Sequence, residues 1–326
     1  MTADTAPSLD FSSGTTYVFP LYGMEAFADD FELGDARVMR LPVHQWAYIE
    51  KSSIGDRILE QAVRSPLFAV FTRPDITGAA SAEEFPAVDT RFRYLLMAMR
   101  LLRGSVLIDP TLSARYFASG AITSRYSALY RQAFVNFATA DPYTMRPDDI
   151  GRLMTLRHLV QRAADAAWRE ADLVLENLNH RFAPNLTPHD RYGIMCTTLE
   201  MLLGPFNKKS LAVRAAAACA LSPSWLGERF DEQAFLRGPG LGLRNIVAHG
   251  AGRELPLPIE EGVEKLTTIL RRTVATYLVL RHLHAGAAAP VDWFNTILAG
   301  VASGDAAASS LAREAFRDAA MSEPPA

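Results

Sequence analysis

The feature that most constrains the fold is the recurrence of apolar residues at every third or fourth position over most of the chain after Pro86. The pattern is clearest in the segment 259–283, where it runs from Val263 to Leu278. This spacing puts the apolar side chains on one stripe of a helix. Other stretches of the same kind predict helices over 92–102, 124–137, 150–177, 191–203 and 210–221. We therefore predict a mainly α-helical bundle over 91–299, with its core in 187–285, and a flexible C-terminal tail over 300–326.

The first ninety residues have a different character. Two short aromatic and β-branched runs, 17–22 and 67–71, have the length of strands, although 50–69 also has spacing that would suit a helix. This part holds 14 acidic and six basic residues, whereas the remainder holds 22 acidic and 27 basic residues. We predict a smaller, acidic N-terminal domain over 1–90 with some β content. Its opposite charge suggests that it regulates the helical part or binds a regulatory partner.

Composition excludes several classes of protein. With 49% hydrophobic residues the chain has enough apolar surface for a packed core, which excludes wholesale disorder. Two cysteines without a Cys-x-x-Cys pair exclude a disulfide scaffold and a cysteine-ligated zinc site. No basic and apolar leader opens the sequence, and its longest apolar run is 215–221. We therefore predict a cytoplasmic protein without a membrane span, and no metal or cofactor.

One short segment carries reactive chemistry. The sequence 238–250 is rich in glycine and contains Arg244, Asn245 and His249, which predicts a turn that leads into a helix. Arginine binds phosphate oxygens with a permanent charge, and histidine exchanges a proton near neutral pH. On a straight helix Arg244 and His249 would point about 140° apart. They would converge only through an irregular turn or a second copy of the chain. The plain alternative is a surface arginine beside a partly packed histidine.

The order of three segments extends this pattern. Glu200 lies in the apolar run 198–203, Arg214 follows in the Ala-rich segment 210–217, and the sequence from Arg244 to Gly250 comes last. This order and spacing resemble HEPN domains, in particular the Apea-like branch with its Arg-x4–6-His motif. The resemblance covers roughly residues 91–285 and leaves the N-terminal ninety residues outside it.

The resemblance implies a HEPN-type helical bundle that forms a homodimer, with two Arg–His turns in a shared cleft. It also implies a metal-independent endoribonuclease from a toxin or antiviral defence setting. In such an enzyme the RNA 2′-OH attacks the adjacent phosphate. His249 would move the proton, Arg244 would hold the phosphate, and Asn245 would donate a hydrogen bond. The alternative is a catalytically inactive HEPN-like module for dimerisation or RNA binding. The net charge of −3 favours this alternative.

Four further residues are candidates for a supporting role. Glu200 in its apolar run is expected to form a partly buried salt bridge or hydrogen bond, with Arg214 as the suggested partner. A direct catalytic role for Glu200 is the alternative. Lys208 and Lys209 would follow an RNA backbone if they flank the same cleft, and are otherwise a solvated turn.

Overall fold

The computed structural model describes residues 15–21, 24–42, 67–73, 80–103, 113–117, 122–125, 143–180, 186–206, 209–250, 254–284, 286 and 288–321. The chain divides into two compact units. One comprises residues 1–96 and 105–150, and the other comprises residues 97–104 and 151–326. The boundary predicted at residue 90 therefore lies inside a helix, and the first unit extends further along the chain.

The first unit is built on a β-sheet, as the sequence predicted. Its strands are β1 (Thr15–Leu21), β2 (Met24–Ala26), β3 (Asp30–Leu33), β4 (Ala36–Arg40), β5 (Leu67–Arg73), β6 (Ser113–Phe117), β7 (Ile122–Arg125) and β8 (Tyr143–Met145). Six strands form one sheet in the order β3-β4-β5-β1-β6-β7, with antiparallel neighbours, and β2 pairs with β8 in parallel.

The two apolar runs of the N-terminal part form the centre of this sheet. They become β1 and β5, which are adjacent and antiparallel, with Tyr17 opposite Phe71. Phe19 on β1 is buried and stacks on Phe92, with ring centroids 4.2 Å apart. A strand that is buried along its length needs a continuous apolar run, which is what these segments supply.

The remaining chain is mainly helical, so this part of the fold prediction is confirmed. The helices are α1 (Ala80–Arg103), α2 (Asp149–Asp165), α3 (Arg169–His180), α4 (Pro188–Leu203), α5 (Lys209–Leu221), α6 (Glu232–Phe235), α7 (Leu241–His249), α8 (Ile259–Leu283), α9 (Pro290–Ser303) and α10 (Ala306–Asp318). A 3-10 turn spans Ser224–Leu226 and a π-helical turn spans Leu236–Gly240.

Helix α8 is the centre of the second unit. It packs against α4, α5, α9 and α10, and all its residues from Ile269 to Arg281 are buried. Several of its buried polar groups have specific partners. The Arg271 guanidinium, for example, donates to the carbonyls of Leu101, Leu102 and Leu226, and so closes the C-terminal end of α1.

Two predicted helices differ from the structure. The single helix expected over 150–177 is two helices, α2 and α3, because Ala167 takes a left-handed conformation with φ +51°. This break buries Trp168, and the Arg281 guanidinium lies 4.9 Å from the centre of its ring. The helix expected over 124–137 begins in β7, and its part after residue 125 lies outside the described residues, as does 50–66.

The segment predicted as a flexible tail, 300–326, is helical at 300–303, where α9 ends, and again at residues 306–318. These residues form α10, which begins at Asp305, whose side chain accepts a hydrogen bond from the backbone N–H of Ala307 at 2.8 Å. Three buried alanines and Phe316 form its apolar face. The short side chains gave a weak sequence signal, but they let α10 approach α8 and α9 closely. Residues 322–326 lie outside the described part.

Candidate functional site

The segment with Arg244, Asn245 and His249 forms α7, which follows a tight glycine-containing turn. The π-helical turn Leu236–Gly240 leads directly into the helix, in agreement with the predicted turn and helix. The buried Tyr192 hydroxyl donates a 2.9 Å hydrogen bond to the Gly240 carbonyl and fixes this turn on α4. At the other end Gly250 has φ +59° and donates to the Ile246 carbonyl, which ends the helix directly after His249.

Helix α7 lies against α4 and against the start of α8. Gly262 of α8 is buried beneath Leu243, and a β-carbon there would collide with the Leu243 side chain. Gly193 of α4 lies under Val247, at 3.6 Å from the place a β-carbon would occupy. A β-carbon would therefore fit at position 193 but not at position 262, so Gly262 sets how closely α7 packs on α8.

The three candidate residues do not point to one place within the chain. Asn245 and His249 are one turn apart on the exposed face of α7, and their side chains form no hydrogen bonds with other described residues. Arg244 is half-buried and turned toward α4, where its Nη2 lies 3.5 Å from Glu200 Oε1. Because α7 is a regular helix up to His249, the irregular turn that would have brought Arg244 and His249 together is not present.

Glu200 pairs with Arg244 and not with Arg214, so the suggested Glu200–Arg214 salt bridge is wrong. Glu200 Oε1 also accepts a 2.8 Å hydrogen bond from the backbone N–H of Phe206. Arg214 instead donates to the Leu203 carbonyl and to Ser210 Oγ, at 3.3 Å. Arg214 binds there because the last carbonyls of a helix such as α4 have no partner within the helix and accept hydrogen bonds from a nearby cation. Sequence spacing correctly selected Glu200 as a residue with a polar partner, but the partner lies 44 residues away.

The remaining candidates are Lys208 and Lys209. Lys209 is exposed at the first position of α5, and Lys208 lies outside the described residues. Cys196 is buried on α4, and burial raises the pKa of its thiol far above the usual range. Cys196 therefore remains a thiol at neutral pH and is not a nucleophile.

Sequence reasoning missed the polar residues of α9. Asn295 Nδ2 donates to the Leu202 carbonyl at 2.8 Å, beside the carbonyl that Arg214 binds, and Asp292 lies one turn before Thr296 on the same helix. The polar residues at every third or fourth position of 292–296 were a signal for an exposed face. Phe294 of the same helix is buried against Tyr277, with ring centroids 5.1 Å apart.

Within the described residues, no group of three or more His, Cys, Asp or Glu side chains is placed to hold a metal ion. No helix in the same ranges is long and apolar enough to cross a membrane. Comparisons of the chain with protein-family models, with curated proteins and with solved structures find no match.

Proposed function

We propose that the protein is a metal-independent endoribonuclease of the HEPN type that works as a homodimer in a toxin or antiviral defence setting. The observation that carries the proposal is the arrangement on α7. Asn245 and His249 form a free polar face one turn long, and the Arg244 guanidinium lies beside it against Glu200. A proton-transfer group and a cation for phosphate are the two groups that RNA cleavage by the 2′-OH requires.

The reaction follows from these groups. The 2′-oxygen attacks the adjacent phosphorus, and the bond from phosphorus to the 5′-oxygen breaks. His249 takes the proton of the 2′-OH or gives one to the leaving 5′-oxygen. Arg244 stabilises the charge that develops on the non-bridging oxygens, and Asn245 donates a hydrogen bond to them. The products are a 2′,3′-cyclic phosphate and a 5′-hydroxyl.

The direction of the side chains supports the proposal of a homodimer. Five residues of a regular helix turn through about 140° beyond a full turn, so Arg244 and His249 of one chain diverge. Two copies that face each other across α7 would place Arg244 of one protomer opposite the partner's His249. The exposure of Asn245, Ala248 and His249 leaves this face of α7 open for such contact.

Glu200 acts in this proposal as a positioning residue for Arg244. Its carboxylate is held by the backbone N–H of Phe206, and its contact with Arg244 uses one of the five guanidinium N–H donors. The remaining donors of Arg244 are available to phosphate. Glu200→Gln should therefore weaken the orientation of Arg244 without removing a group that touches the substrate.

The test is RNA cleavage by the purified full chain in EDTA, with tRNA, rRNA and mRNA substrates. His249→Ala should lower the cleavage rate about 10²–10⁴-fold, the usual contribution of a general acid or base. His189→Ala, which removes another exposed histidine, is the matched control and should leave the rate unchanged. The wild-type fragments should end in 2′,3′-cyclic phosphate. RNA binding without cleavage, or cleavage that survives His249→Ala, would contradict the proposal and favour an inactive binding or dimerisation module.

A further inference from the structure

A cavity of about 780 Å³ lies where the C-terminal end of α8 meets the N-terminal end of α9. Two aromatic rings, those of Trp293 and His284, and one carboxylate, that of Asp292, are part of its lining. Much of the remaining lining is aliphatic and includes Leu283 and two alanines. Pockets of about 300–1,000 Å³ with apolar walls and a few polar groups are typical of small-molecule sites.

The charge of this lining favours a positive ligand. Asp292 supplies its one carboxylate, and no lysine or arginine among the described residues lines the cavity. The neighbouring cavity, of about 650 Å³ and lined by α4, α5 and α9, differs because it contains Arg214. Arg281 donates to the His284 carbonyl at 2.7 Å, but it is buried and forms an ion pair with Glu170 at 3.1 Å. Its charge is therefore compensated, and Asp292 determines the sign of the potential in the cavity.

The carboxylate of Asp292 is available to a ligand. It is exposed and forms no ion pair or hydrogen bond within the part of the chain that the structure describes. The Thr296 hydroxyl donates at 2.9 Å to the backbone carbonyl of Asp292, and so leaves its carboxylate free. Asp292 lies in the first turn of α9, where an acidic residue also suits the helix dipole. Its charge alone would therefore not identify a ligand, and the rings that share the cavity add the second feature.

The rings of Trp293 and His284 are open to a ligand in the cavity. Trp293 is half-buried and His284 is exposed. Their ring centroids lie 4.5 Å apart at an angle of 50°, so the two rings are not stacked flat and part of each face remains uncovered. The face of an aromatic ring carries a negative potential and attracts a cation within about 6 Å of its centre, and tryptophan does so most strongly.

The aliphatic part of the lining indicates which kind of cation fits. A primary ammonium group has three N–H donors that need acceptors once they leave water, whereas a quaternary ammonium group has none. The side chains of Leu283, Ala288 and Ala289 offer apolar contact and no acceptor. The methyl groups of a quaternary ammonium would pack on these side chains and on the Trp293 face, while the Asp292 carboxylate balances the charge.

We propose that this cavity binds a small molecule with a quaternary ammonium group, of the choline type, whose nitrogen lies over the Trp293 and His284 rings and beside Asp292. Each part of such a ligand has a counterpart in the lining: the charge meets the carboxylate, and the methyl groups meet the aromatic and aliphatic walls. The site is separate from the proposed nuclease site, because none of its residues belongs to α7. Its test therefore does not depend on RNA cleavage.

The test is calorimetric titration of the full chain with choline and with 3,3-dimethylbutan-1-ol, a neutral molecule of the same shape. The wild type should bind choline about 10-fold or more tightly than the neutral alcohol, as expected for a cation–π contact together with a carboxylate. Asp292→Asn and Trp293→Leu should each reduce this preference. In proton NMR spectra the N-methyl signal of choline should move upfield on binding, because the methyl groups lie over the indole face, and Trp293→Leu should abolish the shift.

Two matched controls lie outside the cavity and should leave choline binding unchanged. Asp172→Asn removes an exposed carboxylate from the first turn of α3, and Trp225→Leu removes another half-buried indole. Circular dichroism and thermal unfolding check the fold of Trp293→Leu. If that variant does not fold, Asp292→Asn and the wild-type NMR shift decide, because the Asp292 carboxylate is exposed and has no partner among the described residues.

Three results would each overturn the proposal: no binding of choline at about 10 mM, equal binding of choline and the neutral alcohol, or an unchanged preference in Asp292→Asn. A peptide with trimethyllysine distinguishes a free small molecule from a modified protein as the source of the ammonium group. If this peptide binds about 10-fold or more tightly than choline, the assignment to a small molecule is overturned.

Discussion

Two inactive variants of the proposed nuclease should restore activity when they share a dimer. Arg244→Ala and His249→Ala each remove one essential group. Helix α7 is regular from Leu241 to His249, so the Cα atoms of Arg244 and His249 are about 9 Å apart and their side chains diverge by about 140°. Arg244 is turned toward Glu200, whereas His249 is exposed. In the proposed site a single phosphate would therefore contact Arg244 from one protomer and the partner's His249.

The expected activity follows from counting sites in a twofold dimer. When the two variants exchange protomers at random, about half of the dimers contain one chain of each kind. Such a mixed dimer has one site that lacks both groups and one site in which Arg244 and the partner's His249 are both intact. The mixture should therefore reach about a quarter of the wild-type rate. If Arg244 and His249 of the same chain formed each site, every site would lack one group and no activity would return.

The assay combines co-refolding with measurement of RNA fragments that end in 2′,3′-cyclic phosphate. Light scattering measures the fraction of dimer, and two different affinity tags isolate the mixed species. The control mixes His249→Ala with the double variant that also carries Arg244→Ala, where no intact site can form. Isolated mixed dimers without activity would refute the shared site, and so would a wild-type protein that cleaves RNA as a monomer.

Two further predictions concern the packing of α7 against α8 and the stability of the helical unit in acid. Gly262→Ala should lower both Tm and the RNA cleavage rate, because its β-carbon collides with Leu243 of α7 and overpacking costs about 1–3 kcal/mol. The control Gly151→Ala lies in open space on α2 and should leave both quantities unchanged or raise Tm slightly. Equal effects of the two variants would contradict the close packing of Gly262 against α7. Although burial acts to raise it, the pKa of Glu170 is lowered from its ordinary value near 4.5 by hydrogen bonds from its own backbone, Tyr277 and Arg281. Ionised Glu170 therefore stabilises the fold above about pH 4.5, and this contribution is lost as the pH falls through the lowered pKa. The difference in unfolding free energy between wild type and Glu170→Gln should be about 1–3 kcal/mol at pH 7 and should shrink toward pH 3. Urea unfolding at several pH values measures this difference. A difference that stays constant from pH 7 to pH 3 would refute the role of ionised Glu170.

Apolar periodicity predicted the helices wherever the core lies on one side of them. The limits of α8 agree with the predicted 259–283, and α4 and α5 begin within three residues of the predicted positions. The break at Ala167 could not be predicted in this way, because no Gly or Pro marks it. Burial of Trp168 beneath Arg281 favours the left-handed residue, and that contact joins positions more than a hundred residues apart.

In the candidate site, too, the sequence predicted what depends on one segment but not what depends on contacts between distant segments. Residue types and spacing selected α7 and Glu200, because reactive groups and a charge in an apolar run are visible in one segment. They did not select the partner of Glu200, since two arginines were available in the sequence and the choice depends on how the helices pack. The cavity lined by α4, α5 and α9 was missed for a related reason: it requires three helices and has no single motif.

In the proposed nuclease, the contacts of Glu200 would let Arg244 be held in place and still bind a phosphate. Glu200 is fixed by a short hydrogen bond from the Phe206 backbone, whereas its contact with Arg244 is a single one at 3.5 Å. About a quarter of the Glu200 side chain and a third of the Arg244 side chain are exposed, so their ion pair contributes at most about 1 kcal/mol. A charge-assisted hydrogen bond to phosphate is stronger than that. In the proposed site Arg244 can therefore exchange its contact with Glu200 for a contact with phosphate at little cost in free energy. The Glu200 carboxylate remains held by the Phe206 backbone and can bind Arg244 again after the phosphate leaves.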